Sequence, residues 1–279
     1  MKFKKMVRRF RFRLKYRIYS KYIKFQFNLR SLCYIFFDPE LDTFSYNLSN
    51  SNEILSKLSE FFDIDVSHLQ RYRKEFFNHS DLNRITFLRN LFDPGYKLVP
   101  KFGRYFSLFI MIRILKPDLI IELGVKDGLG SIVYLKSLAL NRQEGNFGEL
   151  FGVDLQLDKP RYLRKSSNLN YLSMDSISGL EYLYYLGKRS KRLLVLSDTT
   201  PDLKIVTLEF LKSLPLATGT LHFVQNSDWN TASKSYSKKL GAKLLELQDD
   251  SNHPFYPGRK LSILKISPDI LEKVEGKIN

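Results

Sequence analysis

The sequence predicts an α/β fold built on a mostly parallel sheet of seven strands. Three observations support this prediction. From Tyr105 onward, short apolar runs alternate with segments of helical periodicity. A glycine-rich turn between Leu123 and Ser131 joins the first of these runs to a helical segment. The last two apolar runs have only a loop between them, without a helix that could make a parallel crossover. We therefore expect a Rossmann-like sheet with helices on both faces and an antiparallel last strand.

The strand candidates are short apolar runs bounded by polar or turn residues. They are Leu119–Leu123, Leu150–Val153, Leu169–Ser173, Leu193–Leu196, Leu221–Val224, Ala242–Leu247 and Leu261–Ile266. Helical segments are predicted between them, at Ser131–Asn141, Ser176–Leu186, Leu203–Leu214 and Thr231–Leu240. In an open sheet of this kind, ligands bind beyond the carboxyl ends of the strands.

The chain before this region divides into two segments. Residues 38–100 are predicted to form a helical accessory segment, with amphipathic stretches at Asn52–Phe62, Val66–Phe77 and Asp81–Leu91. Residues 1–37 contain twelve Lys and Arg and no acidic residue, whereas the rest of the chain has 33 basic and 29 acidic side chains. The formal net charge of +16 therefore comes mostly from this basic arm. Residues 101–279 are predicted to form the α/β domain.

Apolar residues recur in the basic arm at steps of three and four, from Phe3 through Phe10 and Ile18 to Leu29, as on one face of a helix. The stretch from Phe10 to Ile18 also alternates as a strand would. A basic amphipathic helix can lie on an anionic membrane surface. The same side chains could hold RNA through phosphate contacts and stacked rings. A third interpretation is that the helix packs on the body of the protein and exposes its bases.

The remaining composition indicates a protein of a reducing compartment. No run of about 20 apolar residues could span a bilayer, and the start lacks the apolar core of a secretory signal. The single cysteine, Cys33, excludes an internal disulfide and a site of several cysteines. We expect a cytoplasmic protein, with peripheral contact at the inner membrane face as an alternative location.

The turn after the first strand has the composition of a ligand-binding turn. Gly124, Gly128 and Gly130 let the backbone turn tightly and approach a ligand where a side chain would collide. Ser131 then opens a helix whose free N–H groups would point at the ligand. In a dinucleotide fold the key acid follows the turn by about 20 residues, whereas here Glu122 precedes it. This position argues against a nicotinamide-dependent dehydrogenase.

Acids and an amide follow the neighbouring strand candidates. Asp154 ends the second, Asp175 and Asp198 follow the third and fourth, and Asn226 and Asp228 follow the fifth. Because parallel strands end at the same edge of a sheet, these side chains should converge there. Any one of the acids could instead be a helix N-cap. Together with the glycine turn, they favour a cofactor site.

From Lys101 to Ile266 the chain resembles the class I S-adenosylmethionine-dependent methyltransferases, and more narrowly a bacterial branch that modifies sugars or small metabolites. The resemblance rests on Arg104-Tyr105, on the run from Arg113 to Asp118, and on the turn from Ile121 to Ser131. It implies S-adenosylmethionine as the cofactor.

The resemblance also implies a role for each cofactor-binding position. Glu122 and the turn from Gly124 through Gly128 and Gly130 to Ser131 would hold the methionine end, whose ammonium needs an anion. Asp154 would accept hydrogen bonds from the ribose hydroxyls. Asp175 would lie near the adenine amino group.

On the acceptor side, the resemblance places Asp198 at the transfer site. Asp198 could act as the base, or could bind Mg²⁺ together with Asn226 and Asp228, because oxygen ligands suit that ion. His253, in a loop between the last two strands, is a second candidate base. Tyr256 in the same loop could line the acceptor pocket.

The sequence thus predicts an S-adenosylmethionine-dependent methyltransferase that is O-directed and acts on a small metabolite or glycan precursor. The alternative is a catalytically degenerate fold that binds a membrane or RNA through residues 1–37. The absence of a histidine in the run from Asp198 to Asp202 motivates this alternative. His222 lies within a strand, and we expect it to be buried and hydrogen-bonded.

Overall fold

The computed structural model describes residues 48–78, 103–126, 128–158, 160, 163, 169–200, 202–226, 232–250 and 260–278. The chain divides into two compact units. The larger unit contains the sheet and comprises Asn50–Phe77, Arg104–Gln248 and Arg259–Asn279.

Few residues of the smaller unit are described, and among them the Ser49 backbone N–H donates to the Asp250 carbonyl at 3.0 Å. The basic arm, residues 1–37, and the helical stretch predicted at Asp81–Leu91 lie outside the described residues. The division of the chain at residues 37 and 100 stays a prediction. The accessory helices before residue 78 belong to the same compact unit as the sheet.

One seven-stranded sheet forms the centre of the larger unit, in the order β3-β2-β1-β4-β5-β7-β6. The strands are β1 (Leu119–Leu123), β2 (Glu149–Asp154), β3 (Asn170–Ser173), β4 (Ser190–Ser197), β5 (Ala217–Asn226), β6 (Lys243–Gln248) and β7 (Lys260–Ile266). Strands β1 to β5 pair in parallel, whereas β7 pairs antiparallel with both β5 and β6. The predicted fold class is confirmed, including the antiparallel last strand.

The helices of the described chain connect these strands or precede them. They are α1 (Ser51–Phe62), α2 (Val66–Asn78), α3 (Gly103–Leu115), α4 (Leu129–Gln143), α5 (Ser176–Tyr185), α6 (Leu203–Ser213), α7 (Ala232–Leu240) and α8 (Pro268–Ile278). Within this part of the chain, no helix is both long and apolar enough to cross a membrane.

Two of these helices, α3 and α8, are absent from the sequence prediction. Helix α3 is buried at every position from Arg104 to Arg113. It therefore shows no polar face and no helical period that a pattern search could detect. The predicted strands and the other predicted helices within the described residues are present, with shifts of a few residues at their ends.

Strand β1 is buried along its whole length because it lies between β2 and β4 in the middle of the sheet. A core cluster joins Ile121 of β1, Val195 of β4 and Phe223 of β5 to Phe210 of α6. The central strands are therefore fixed by apolar packing, and their carboxyl ends form a rigid edge. We call this edge the carboxyl rim.

A buried guanidinium ties helix α2 to the α/β body. Arg113 of α3 is 1% exposed and donates to Glu75 of α2 at 2.9 Å and to Glu144 at 2.6 Å. It also donates to the Asn141 side chain and lies over the Tyr72 ring, 4.8 Å from its centre. Burial opposes the charge, but the hydrogen bonds to the two glutamates raise the pKa of Arg113 above its ordinary value.

Removing this guanidinium should destabilise the protein far more than removing an exposed one. We expect Arg113→Ala to lower the free energy of unfolding by about 3–5 kcal/mol, because it leaves carboxylates and an amide without their buried partner. Arg192→Ala is the matched control, since Arg192 pairs with Asp118 at 2.5 Å on the surface and should cost less than about 1 kcal/mol. Urea unfolding of both variants measures the difference. Equal losses would show that Arg113 has no special role in stability.

Candidate functional site

The sheet order brings the predicted site residues together at the carboxyl rim. Glu122 is the fourth residue of β1, and Asp154 ends the adjacent strand β2. Asp198 follows β4 directly on the other side of β1, and Asn226 ends β5 beyond it. Four neighbouring strands therefore present oxygen-bearing side chains at one edge, as the sequence predicts for parallel strands.

The glycine turn has a backbone that only glycine tolerates without strain. Gly124 and Gly128 have φ angles of +88° and +89°, in the region that L side chains rarely adopt. A Cβ atom on Gly124 would lie 2.8 Å from the Asp198 carbonyl oxygen. A Cβ on Gly128 would lie 2.5 Å from a methyl carbon of Leu163. The ends of β1 and β4 can therefore approach this closely only because residue 124 has no side chain.

Glu122 is a buried carboxylate of β1 that contacts the first turn of helix α4. Its side chain accepts a hydrogen bond from the Ser131 hydroxyl, and its residue is 5% exposed. A Cβ on Gly130 would lie 2.6 Å from a Glu122 carboxylate oxygen, so the missing side chain makes room for the acid. Burial raises the pKa of the nearby Tyr134 hydroxyl well above its ordinary value, and the Glu122 charge raises it further.

Asp154 fastens the glycine turn to strand β2. One carboxylate oxygen accepts from the Lys126 backbone N–H at 2.8 Å, and the other accepts from the Gln156 N–H at 3.1 Å. Each carboxylate oxygen has two lone pairs, so both retain room for another donor. Asp154 therefore lies against the turn on the side opposite to β4 and can still bind a diol.

Asp175 occupies the N-cap of helix α5, which is the alternative that the sequence left open. Its carboxylate accepts from the Ile177 and Ser178 backbone N–H groups, both at 3.0 Å, and from the Ser178 hydroxyl at 2.6 Å. The Ser178 hydrogen bonds hold the pKa of Asp175 below its ordinary value. The contact with an adenine amino group stays a prediction beside this structural role.

Asp198 forms an ion pair that the sequence does not reveal. Arg104 of α3 donates to an Asp198 carboxylate oxygen at 2.7 Å, and the Arg104 side chain is 8% exposed. Burial opposes the Arg104 charge, but attraction to Asp198 raises the pKa of Arg104 well above its ordinary value. Tyr105 lies beside this pair, with the guanidinium carbon 5.0 Å from its ring centre. The available sequence signal for this ion pair was Arg104 itself, a charged residue at the start of an otherwise apolar run.

A buried glutamate supports the loop that carries Asp198. Glu209 of α6 is fully buried and accepts from the Ser197 hydroxyl at 2.5 Å and from the Thr199 hydroxyl at 2.6 Å. These two hydroxyls flank Asp198 in the chain. Glu209 therefore fixes the backbone on both sides of the candidate base, and its position mid-helix gave no sequence signal for this function.

The predicted metal ligands receive little support. The Asn226 amide nitrogen lies 3.5 Å from an Asp198 oxygen, so it faces the carboxylate as a donor. Arg104 already places a positive charge on Asp198. Among the described residues, no group of three His, Cys, Asp or Glu side chains could hold a metal ion. Asp228, the third predicted ligand, lies outside them.

Of the two histidines considered from the sequence, only His222 lies within the described residues. His222 is buried in β5 as predicted, but its Nε2 has no hydrogen-bond partner, so the expectation that its ring is satisfied is wrong. Burial lowers the pKa of His222 to about 3, and the Lys265 charge lowers it further. The Phe62 ring lies 5.7 Å from the imidazole, away from the carboxyl rim. The candidate base His253 and Tyr256 lie outside the described residues.

Comparisons with known proteins find similarity only at the level of structure. No protein-family model matches the chain, and no curated protein matches it significantly. One similar solved structure is a Klebsiella pneumoniae protein assigned as an O-methyltransferase, with 13% identity and a TM-score of 0.41 over 57% of this chain and 78% of that one. Another is a Streptococcus mutans protein assigned as an S-adenosylmethionine-dependent methyltransferase, with 13% identity and a TM-score of 0.37. That match covers 56% of this chain and about half, 48%, of the other.

The stability cost of a side chain at Gly124 can be compared with the cost at Gly145, where no neighbouring atom lies close. Gly145 has a similar φ of +81°, but a Cβ there would meet no atom within 4 Å. We expect Gly145→Ala to lower the free energy of unfolding by about 1 kcal/mol, from backbone strain alone. Gly124→Ala should cost at least about 2 kcal/mol more, because its methyl group overlaps the backbone of Asp198, just after β4. Urea unfolding tests this, and equal costs would mean that the rim relaxes freely around residue 124.

Proposed function

We propose that this protein is an S-adenosylmethionine-dependent methyltransferase that transfers a methyl group to an oxygen of a small metabolite or glycan precursor. One observation carries the proposal. Carboxylates from β1 and β2, Glu122 and Asp154, lie against the two sides of a glycine turn at the carboxyl rim, and each makes a hydrogen bond to that turn or to the helix it opens.

The residues present fit this cofactor. Its methionine end carries an ammonium group, which suits the buried carboxylate of Glu122. Its ribose carries a vicinal diol, which suits Asp154, because both Asp154 oxygens can accept a further hydrogen bond. The turn between Gly124 and Gly130 offers backbone groups without side chains in the way. S-adenosylmethionine supplies an electrophilic methyl group on a positively charged sulfur.

The chain's own contribution to transfer is orientation and removal of a proton. Asp198 would accept the proton of the acceptor hydroxyl while that oxygen takes the methyl group, whose bond to the sulfur breaks and leaves a neutral thioether. Arg104 donates a hydrogen bond to this carboxylate and keeps it in one orientation. Glu209, through Ser197 and Thr199, fixes the backbone that carries it. Positioning of this kind supplies most of the rate in a displacement of this type.

If the carboxyl rim binds the cofactor, replacing a rim residue should weaken cofactor binding, and replacing a residue at the opposite end of the strands should not. Asp154→Ala should weaken binding of S-adenosylhomocysteine by about tenfold or more, because two hydrogen bonds to the ribose are lost. Asp118→Ala is the matched control, since Asp118 lies before β1 at the opposite edge of the sheet and pairs with Arg192. Calorimetric titration of both variants and the parent decides the question. No binding by the folded parent, or equal affinity of the two variants, would contradict the assignment.

If Asp198 is the base, replacing it should impair methyl transfer without weakening cofactor binding. Asp198→Asn should bind S-adenosylhomocysteine within about threefold of the parent but lose at least about 100-fold in transfer, because the amide cannot accept the proton. Asp202→Asn is the control, because Asp202 caps α6 nearby and asparagine caps equally well. Transfer of a radiolabelled methyl group into fractionated small-molecule and glycan-precursor pools provides the measurement. Retained transfer by Asp198→Asn would show that Asp198 is not the base.

A further inference from the structure

The outward faces of α5 and α6 are unusually apolar for a protein surface. Tyr182 and Tyr185 of α5 are 41% and 85% exposed, and Leu208 and Leu211 of α6 are 44% and 43% exposed. A surface helix ordinarily places polar residues on its outer side. Leu186, just after α5, is also exposed. We call these five residues the tyrosine–leucine face.

The two helices form one continuous surface. They pack side by side, and the Lys212 amine of α6 lies 2.5 Å from the Glu181 carboxylate of α5. Their inner residues, such as Leu183 and Phe210, are buried in the core of the sheet. The tyrosine–leucine face is therefore held rigidly on the body, and contiguous exposed apolar patches of this kind mark interaction surfaces.

Basic side chains surround the face. Arg189 and Lys191 follow the exposed end of α5, and Lys204 lies in the first turn of α6. Lys188 and Lys212 are paired with Glu149 and Glu181. The acids of these two helices are committed elsewhere. Glu181 pairs with Lys212, Glu209 is buried against Ser197 and Thr199, and Asp202 caps α6. Three basic side chains around the face, Arg189, Lys191 and Lys204, therefore have no acidic partner among the described residues.

The two simplest occupants of the face are a second copy of the chain and an anionic bilayer, and this charge distribution favours the bilayer. A second copy placed symmetrically on the face would bring the same lysines opposite each other, which is unfavourable. An anionic bilayer carries the complementary charge and attracts basic residues near its surface. Tyrosine suits such a boundary, because its ring is apolar and its hydroxyl remains in water.

The position of the face is compatible with a working site at the carboxyl rim. Helices α5 and α6 start near that rim, after β3 and β4, and run back toward the opposite edge of the sheet. Tyr185, Leu186 and Leu211 lie in the last turn of each helix or just after it. Contact through these residues would leave the edge that carries Glu122 and Asp198 open.

We propose that the tyrosine–leucine face docks the protein onto an anionic lipid bilayer. This surface is separate from the basic arm, residues 1–37, and the proposal does not depend on methyl transfer. Leucine and tyrosine side chains enter the interfacial region, and the surrounding lysines and Arg189 contact acidic headgroups.

Vesicle cosedimentation of the full chain tests the proposal. The test variant is Tyr185→Ser with Leu211→Ser. The matched control is Phe147→Ser with Leu157→Ser, which removes two apolar side chains that are 70% and 91% exposed elsewhere. Vesicles of phosphatidylcholine alone are compared with vesicles that also contain phosphatidylglycerol. All substituted side chains are exposed, so circular dichroism should show unchanged folding.

We expect the parent and the control to bind the anionic vesicles more tightly than the neutral ones. The test variant should bind the anionic vesicles about tenfold or more weakly than the control, because it loses the side chains that enter the bilayer. Equal binding by both variants would overturn the proposal and assign any membrane contact to other residues, such as the basic arm. A parent dimer in sedimentation equilibrium that only the test variant abolishes, with vesicle binding unchanged, would overturn it in favour of a second copy.

Discussion

The arrangement of the carboxyl rim depends on how closely strands β1 and β4 approach at their ends. Gly124 has no side chain, so its α carbon can sit beside the Asp198 carbonyl, where any Cβ would lie 2.8 Å from that oxygen. The Asp198 N–H donates to the Leu123 carbonyl at 3.0 Å, and the Gly124 N–H donates to the Val153 carbonyl at 2.9 Å. Three strands are thereby joined at a single peptide group, the one between Leu123 and Gly124. The positions of Glu122, Asp154 and Asp198 all follow from this junction, since each lies on or next to one of these strands.

The carboxylates at this rim are stabilised in different ways, and the differences bear on function. Burial of a carboxylate is costly unless it receives hydrogen bonds or a counter-charge. Asp198 receives a guanidinium from Arg104, whereas Asp154 receives two backbone N–H groups. Glu122 receives the Ser131 hydroxyl, and its charge contributes to the raised pKa of Tyr134. A cationic ligand group is therefore expected nearer Glu122 than Asp198, where Arg104 already supplies positive charge.

The sequence predicts the central strands well because, like β1, they are largely buried on both faces and read as continuous apolar runs. It fails where the apolar pattern loses its period, as in α3, whose buried residues surround the helix. It also fails where a contact joins distant residues. Arg104 and Asp198 are 94 positions apart, and nothing in either local pattern identifies the other. At Asp175 the pattern is ambiguous, because an acid between a strand and a helix fits both a cap and a ligand contact. The sequence thus identifies which side chains reach the rim more reliably than it identifies their partners.

The connectivity of the fold also separates the carboxyl rim from the tyrosine–leucine face. In a parallel sheet, each crossover helix starts near the carboxyl ends of the strands and finishes near their amino ends. Capping acids such as Asp175 and Asp202 therefore lie at the carboxyl rim. Tyr182 and Tyr185 of α5 and Leu211 of α6 lie in the last turns of their helices, toward the other edge, whereas the exposed Leu203 begins α6. Substitutions at Tyr185 or Leu211 can consequently change docking without touching the residues that would bind a cofactor, and the two functions can be tested independently in one protein.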